Sequence, residues 1–329
     1  MDMRFRQKFL LWIEEYLFYP KPFQQLLSAL LLPLTLIYCL IKFIQKSGKT
    51  TYDFGIKVVS IGNLLLGGTG KTPFTIALSK IFPNNAIVLR GYKRESKGLK
   101  VVANKGNILV SSDISGDEAY EYALSCPNSI VIVSEDRAKG VLKAKELGAN
   151  VVFLDDGYSK KEILKLDILL RPYKEPTNLF CLPSGGYKEP KIEYFNADIV
   201  AKENIDFHRK VSFSFYDYQT KSIEKIEKLP QNLLFISAIS KPKRVLEFLP
   251  QNIKYQFFED HYKFKKEDID RLQDLYKDIN FIVTKKDFVK LQNFGIDLYI
   301  IDLDITINQN IIDKVSEYIN VKESIVDSF

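Results

Sequence analysis

The sequence predicts an α/β fold with a mostly parallel sheet and helices on both faces, a smaller C-terminal α/β lobe, and an N-terminal membrane-associated helix. Three observations carry this. A β-branched run, Val58 to Ile61, enters a glycine-rich turn that ends in Lys71-Thr72. Strand-type and helix-type segments then alternate as far as a strand ending in two aspartates, Asp155 and Asp156. A second alternating series starts near Leu233.

Composition bounds the rest. The chain has 329 residues, and 46% of them are hydrophobic, enough for one large core or two ordinary ones. A net charge of +6 suits an anionic partner without demanding nucleic acid, and none is expected. Three separated cysteines, Cys39, Cys126 and Cys181, form no C-x-x-C pair, which argues against a zinc site or a disulfide framework. Two histidines, His208 and His261, exclude a histidine-rich metal centre.

Residues 22–41 carry no charge, and lysines or arginines flank them on both sides. Trp12, Tyr16, Phe18, Tyr19 and Tyr38 are residue types suited to the headgroup level. Gln24, Gln25 and Pro33 interrupt a clean span. Residues 1–46 are read as a membrane-surface segment, with a true span and a buried core helix as the other readings. The proposed organisation is 1–46 as this segment, 47–225 as the core and 226–329 as the smaller lobe, with the charged run 221–228 as a hinge.

In the turn Gly67-Gly68-Thr69-Gly70-Lys71-Thr72-Pro73, glycines let successive N–H groups face one concavity, and the following helix start adds positive potential. Pro73 fits the first helical turn, where its missing N–H costs nothing. Gly67, Gly68, Thr69 and Gly70 are the expected cradle, Lys71 the β/γ-phosphate contact and Thr72 a Mg²⁺ ligand. The common G-x-x-x-x-G-K-[ST] pattern has glycine where this chain has Leu65. A plain glycine turn with a surface lysine is the competing reading, and the strand before and helix after weigh against it.

A helix is expected over 75–82 and a strand over 86–89, ending in the basic stretch Arg90 to Arg94. Arg90 there is either a phosphate contact or part of a solvated basic loop. Residues 99–110 read as a hairpin. Asp117 and Glu118 open the helix 119–125, where acidic residues also simply complement the helix dipole. Strand 129–133 leads through Asp136-Arg137 into a helix closed by Gly148. Strand 151–154 then delivers Asp155 and Asp156, carboxylates at a strand tip that suit Mg²⁺. Ligands of such sheets sit beyond the strand carboxyl ends, which predicts one crevice for Lys71, Arg90, Arg137, Asp155 and Asp156. Residues 181–190 form an irregular loop. In the C-terminal lobe, strands are expected at 233–239, 255–258, 281–283 and 297–301, and helices at 242–249, 265–278, 288–293 and 307–319. His261 falls just past a strand end beside acidic residues, and reads either as structural or as a proton-transfer group.

Several short motifs then share one order: Gly62-Asn63 through Gly67 to Pro73, Arg90-Gly91-Tyr92, Gly116-Asp117-Glu118, Asp136-Arg137 and Asp155-Asp156-Gly157-Tyr158. They continue with Leu182-Pro183-Ser184-Gly185, Lys188-Glu189-Pro190, Asp260-His261 and Thr284-Lys285-Lys286-Asp287. The chain resembles the lipid A 4′-kinase family (tetraacyldisaccharide 4′-kinase) along nearly all its length. The resemblance implies a kinase on the cytoplasmic face of the bacterial inner membrane. Such an enzyme transfers the γ-phosphate of ATP to the 4′-hydroxyl of an acylated glucosamine disaccharide 1-phosphate, with Mg²⁺. It further implies Lys71 as the phosphate contact, Thr72, Glu118, Asp155 and Asp156 in the metal region, and Asp117 with His261 as an acid/base dyad. Ser159 and Lys160 stand where the family usually carries glutamine and histidine. A partitioning-type ATPase switch is the alternative, but Leu66 occupies the place of its signature lysine. No protein partner is inferred.

Overall fold

The structure is a computed structural model that describes residues 3–239, 242–259 and 262–320. The chain begins with three helices, α1 (Met3–Phe18), α2 (Pro22–Leu30) and α3 (Leu32–Lys46). Then follow β1 (Lys57–Asn63), α4 (Lys71–Ile81), β2 (Asn85–Leu89), β3 (Lys100–Asn104), β4 (Asn107–Ile108), α5 (Ser112–Ser115) and α6 (Asp117–Ser125). Next come β5 (Ile130–Val133), α7 (Arg137–Glu146), β6 (Val151–Asp155), β7 (Leu166–Arg171), β8 (Ile199–Lys202), β9 (Phe207–Asp217) and β10 (Ser222–Ile226). The chain closes with β11 (Leu233–Ser237), α8 (Lys243–Leu246), β12 (Lys254–Phe257), α9 (Lys266–Leu275), β13 (Asn280–Thr284), α10 (Lys285–Leu291), β14 (Leu298–Ile307) and α11 (Gln309–Asn320). These elements form two compact units, one from residues 3–71, 156–207 and 309–320, the other from 72–155 and 208–308.

In the first unit β1, β7 and β8 pair in parallel, with Ile61 opposite Ile168 and Ile168 opposite Ile199. Parallel strands covered on both faces read as continuous apolar runs, and every residue of β1 after Lys57 is buried. Leu64, Leu65, Tyr158, Leu169, Cys181, Tyr187 and Phe18 make one apolar cluster of this unit.

Helices α2 and α3 are built inside out. Their buried residues are polar: Gln24, Ser28 and Thr35. Their outward residues are apolar, including Phe23, Leu26, Leu30, Leu36, Ile37, Leu40 and Phe43. Gln24 bonds within the N-terminal segment, donating to the Trp12 carbonyl and accepting from the Lys21 N–H, whereas Ser28 and Thr35 are satisfied by the loop of residues 178–188. Ser28 Oγ donates to the Ser184 carbonyl at 2.7 Å, and Thr35 Oγ1 donates to Ser184 Oγ at 2.7 Å. Asn178 Nδ2 donates to the same Ser184 carbonyl at 2.8 Å. Among the described residues no single helix is long and apolar enough to cross a membrane; α2 and α3 pass that test together but bend by 56° at their junction. Pro33, in the first turn of α3, starts the second helix there.

In the second unit β2 lies between β5 and β6, parallel to both, and β3 joins β5 in antiparallel fashion. Alternate residues of β2 serve opposite faces. Ile87 and Leu89 pack with Ile76 of α4 and Ala119 and Tyr122 of α6, whereas Val88 meets α7, where a Cβ on Gly140 would stand 2.5 Å from it. Helices on both faces follow from this. The six remaining strands form a second sheet in the order β10-β9-β14-β13-β11-β12. Again the strand residues alternate: Leu234 and Ile236 pack with Ile269 and Leu272 of α9 and Phe288 of α10, and Leu233 and Phe235 pack with Val245 of α8.

Two local expectations change. Residues 222–226 form β10, an edge strand, rather than an irregular hinge. Asp217 Oδ1 accepts from the N–H groups of Gln219 and Thr220, which turns the chain back, and the charges of 224 and 225 face solvent as edge strands require. The last strand also runs on to Ile307, because Ile305 and Ile307 continue its buried alternation before α11 begins.

Candidate active site

Gly67 and Gly70 each have φ of 88°, a backbone shape that other residues adopt only with strain. Gly68 is exposed, Thr69 is buried, and Lys71 opens α4. The turn is pinned from inside by Asn63, the last residue of β1. Its Nδ2 donates to the Leu65 carbonyl at 2.8 Å and to the Gly67 carbonyl at 3.2 Å. Its Oδ1 accepts from Lys71 Nζ at 3.1 Å.

The leucine at 65 has a structural reason. Its side chain is buried in the apolar cluster around Tyr187, and the stretch 64–66 pairs with the backbone of 186–188. Glycine would give up that packing.

Lys71 also stands 3.9 Å from Asp156 Oδ1, and Lys188 Nζ donates to the same oxygen at 3.2 Å. Asp156 has φ of 53°, in the left-handed region that aspartate tolerates, and its N–H donates to the Ile61 carbonyl at 2.9 Å. This backbone bond turns Asp156 beside β1. Lys71, Asn63, Asp156 and Lys188 thus form one polar cluster in the first unit.

Thr72, Glu118 and Asp155 belong to the second unit, around the buried Tyr122. The Tyr122 phenol lies beside Thr75 and Thr72, within electrostatic reach of Asp155 and Glu118. Burial foremost, then the Asp155 carboxylate, pushes the phenol well above its ordinary range, so it stays protonated. Asp155 is buried at the tip of β6. Among the described residues no group of three or more histidine, cysteine or acidic side chains converges as a metal cage. The donor set is a hydroxyl plus carboxylates, all hard oxygen.

Asp117 heads α6, after Gly116 with φ of 85°. Lys290 Nζ lies 3.5 Å from Asp117 Oδ2. Arg90 is exposed just past β2. Arg137 is buried, and its Nη1 donates to the Ser134 carbonyl at 2.6 Å, so part of its guanidinium fixes the turn between β5 and α7. His261, with Asp260 before it, lies outside the described residues.

The sequence reading missed Asn63, Lys188 and Lys290 as site residues. Asn63 had a signal, an amide ending an apolar strand immediately before a glycine turn. Lys188 stood in the Lys188-Glu189-Pro190 motif without a role of its own, and Lys290 had no signal, because their partners are 32 and more than 170 positions away.

Known proteins similar to this chain share one name. The family model for tetraacyldisaccharide-1-P 4′-kinase matches residues 27–320. A tetraacyldisaccharide 4′-kinase of Aliarcobacter butzleri is 50% identical over 317 residues, covering 96% of this chain and 99% of its own. The Helicobacter pylori (strain ATCC 700392 / 26695) protein of that name is 39% identical over 311 residues, covering 94% of this chain and 95% of its own. The crystal structure of LpxK from Aquifex aeolicus, titled as an "apo" form in complex with ATP, superposes with a TM-score of 0.72 at 27% identity, covering 89% of this chain and 98% of that one. The chain belongs to the tetraacyldisaccharide 4′-kinase family.

Proposed function

We propose that this chain is an ATP-dependent lipid kinase that phosphorylates the 4′-hydroxyl of a tetraacyldisaccharide 1-phosphate in lipid A synthesis. The observation that carries this is the Asn63-pinned glycine turn with Lys71 held at its mouth, in a chain of this family. Lys71 and the loop N–H groups bind and orient the β/γ-phosphates, and Asn63 keeps the ammonium aimed while no nucleotide is bound.

Mg²⁺ fits the donor set. That ion usually keeps several waters and takes one or two carboxylates plus substrate phosphates, so no three-carboxylate cage is required. Thr72 and Asp155, with Glu118 of the same unit, would hold it, and when bound it would neutralise charge on the transferring phosphoryl group. Asp117, with His261, takes the proton from the sugar 4′-hydroxyl. The sugar oxygen bonds to the γ-phosphorus as the bond to the β-bridging oxygen breaks, and ADP leaves. A positioned base of this kind contributes about 10²–10⁴-fold.

The acceptor is a lipid, and the outward apolar faces of α2 and α3 suit the cytoplasmic leaflet of the inner membrane. These helices bury their polar residues and present leucine, isoleucine and phenylalanine outward, the reverse of a water-facing surface.

The test is phosphate transfer. Detergent-solubilised protein is incubated with γ-labelled ATP, Mg²⁺ and the acceptor, with Asp117→Ala alongside. Label entering the lipid phase with the wild type alone supports the reading. Label released only as inorganic phosphate overturns it in favour of an ATPase switch. That second reading is disfavoured by Leu66, whose side chain joins the apolar cluster in place of the signature lysine.

A further inference from the structure

Two charged side chains of helix α10, Asp287 and Lys290, are not used by the nucleotide site. Asp287 is fully buried, and its carboxylate is saturated with donors. Ser237 Oγ and Thr284 Oγ1 each donate to Oδ2 at 2.9 Å, and the Ala238 N–H donates to Oδ1 at 3.1 Å. Lys290, one turn further along, is 9% exposed at its side chain. Its ammonium stands 3.7 Å from Asp287 Oδ1 and 3.5 Å from Asp117 Oδ2. An ammonium taken this far out of water costs several kcal/mol unless opposite charges compensate it. Asp287 alone would offset one charge, so placing the ammonium between two carboxylates is not needed for neutrality.

The arrangement instead resembles a lever. Ser237, Ala238 and Thr284, at the ends of β11 and β13, fix Asp287; Asp287 fixes Lys290; and Lys290 reaches the first residue of α6. Helices α6 and α10 pack on each other within one unit, so the chain of contacts is local. We infer that Lys290, anchored by Asp287, is a positioning residue that holds the Asp117 carboxylate in the orientation needed to accept the acceptor's proton. This rests on the reading of Asp117 as the base. An aspartate at the first turn of a helix has two staggered side-chain alternatives, and a cation at 3.5 Å selects one of them. A rise of about 1 Å in the misplacement of a reacting group costs up to about 10²-fold in rate.

Lys290→Met, Lys290→Arg and Asp117→Asn are compared with wild type by acceptor phosphorylation, and a Lys290→Met/Asp117→Asn double variant completes the cycle. Lys290→Met is expected to lower kcat about 10- to 100-fold while KM for ATP moves less than about 3-fold. Lys290→Arg is expected to recover much of that loss. In the Asp117→Asn background, Lys290→Met is expected to add no further loss, because its only route to the chemistry is already gone. Retained wild-type kcat in Lys290→Met, or losses that multiply in the double variant, overturn the inference. Should Lys290→Met fail to fold, Lys290→Gln keeps a polar group of similar length and is judged by the same criteria. Full turnover in Asp117→Asn is a separate result: it removes Asp117 as the base and takes this inference with it, whereas a Lys290 failure with Asp117→Asn inactive leaves the base reading standing.

Discussion

Lys71 Nζ donates to Asn63 Oδ1 at 3.1 Å, while the amide of the same Asn63 holds the carbonyls of Leu65 and Gly67. One side chain therefore sets both the shape of the phosphate loop and the resting direction of its lysine.

Asn63→Ala frees two carbonyls and the lysine together. Each lost bond is worth about 1 kcal/mol. The expected outcome is a rise in KM for ATP of about 5- to 30-fold, read from initial rates at saturating acceptor. Lys71→Ala goes further and removes charge from the transition state. Its kcat is expected to fall about 10²–10³-fold with a melting temperature close to wild type.

Helices α2 and α3 make a prediction about location. Glutamate in place of both Leu36 and Leu40, two exposed leucines, leaves the fold intact, because surface changes cost within about 0.5 kcal/mol. Flotation with vesicles of neutral and anionic phospholipid is the measurement. Wild type is expected to float with the vesicles and Leu36→Glu/Leu40→Glu to stay in the soluble fraction. Equal flotation of both removes this face as the membrane contact.

Glu175 is paired with Arg171 and with Lys191, the latter at 2.8 Å. The Arg171 hydrogen bond foremost, then that of Lys191, holds its carboxyl at about 2, below the ordinary 4.5. The stability this pairing provides is complete above pH 4.5 and is lost as pH falls toward 2. Glu175→Gln is expected to flatten the decline of melting temperature over that window and to leave the profile above pH 5 parallel to wild type.

Thr284 caps α10: its Oγ1 accepts from the Asp287 N–H at 3.2 Å and donates to the Asp287 carboxylate at 2.9 Å. Thr284→Ala removes the cap and leaves a buried carboxylate one donor short. A loss of about 1–3 kcal/mol is expected, read by denaturant unfolding at pH 7.

Much of this protein was legible in its sequence because it rests on local order. The strand, glycine turn and helix of 58–81 are contiguous, so a phosphate loop could be read there with no knowledge of the rest. The alternating segments gave the parallel α/β architecture for the same reason, since buried parallel strands are apolar throughout and the helices between them are amphipathic. Where reading failed, the deciding partner was remote. The charged run 221–228 reads as a hinge because charge usually marks exposure, yet 222–226 form an edge strand, exposed on its side chains while its backbone still pairs with β9. Leu65 departs from the common loop pattern, and its packing against Tyr187 gives the physical reason.

The sequence by itself determined the family, the phosphate loop, the paired aspartates and the unusual apolar N-terminus, all of which are written in consecutive residues. Only the tertiary structure decided which face of α2 and α3 is apolar outward, that Asn63 governs Lys71, and that Lys290 meets Asp117. The burial of the polar residues of α2 and α3 and the Lys290–Asp117 contact depend on side chains from distant segments arriving within about 4 Å of one another, the range over which hydrogen bonds and close ion pairs act, whereas Asn63 and Lys71 meet across one glycine turn. No pattern of neighbouring residues encodes that arrival; the packing of α10 on α6 and of the 178–188 loop on the N-terminal helices does.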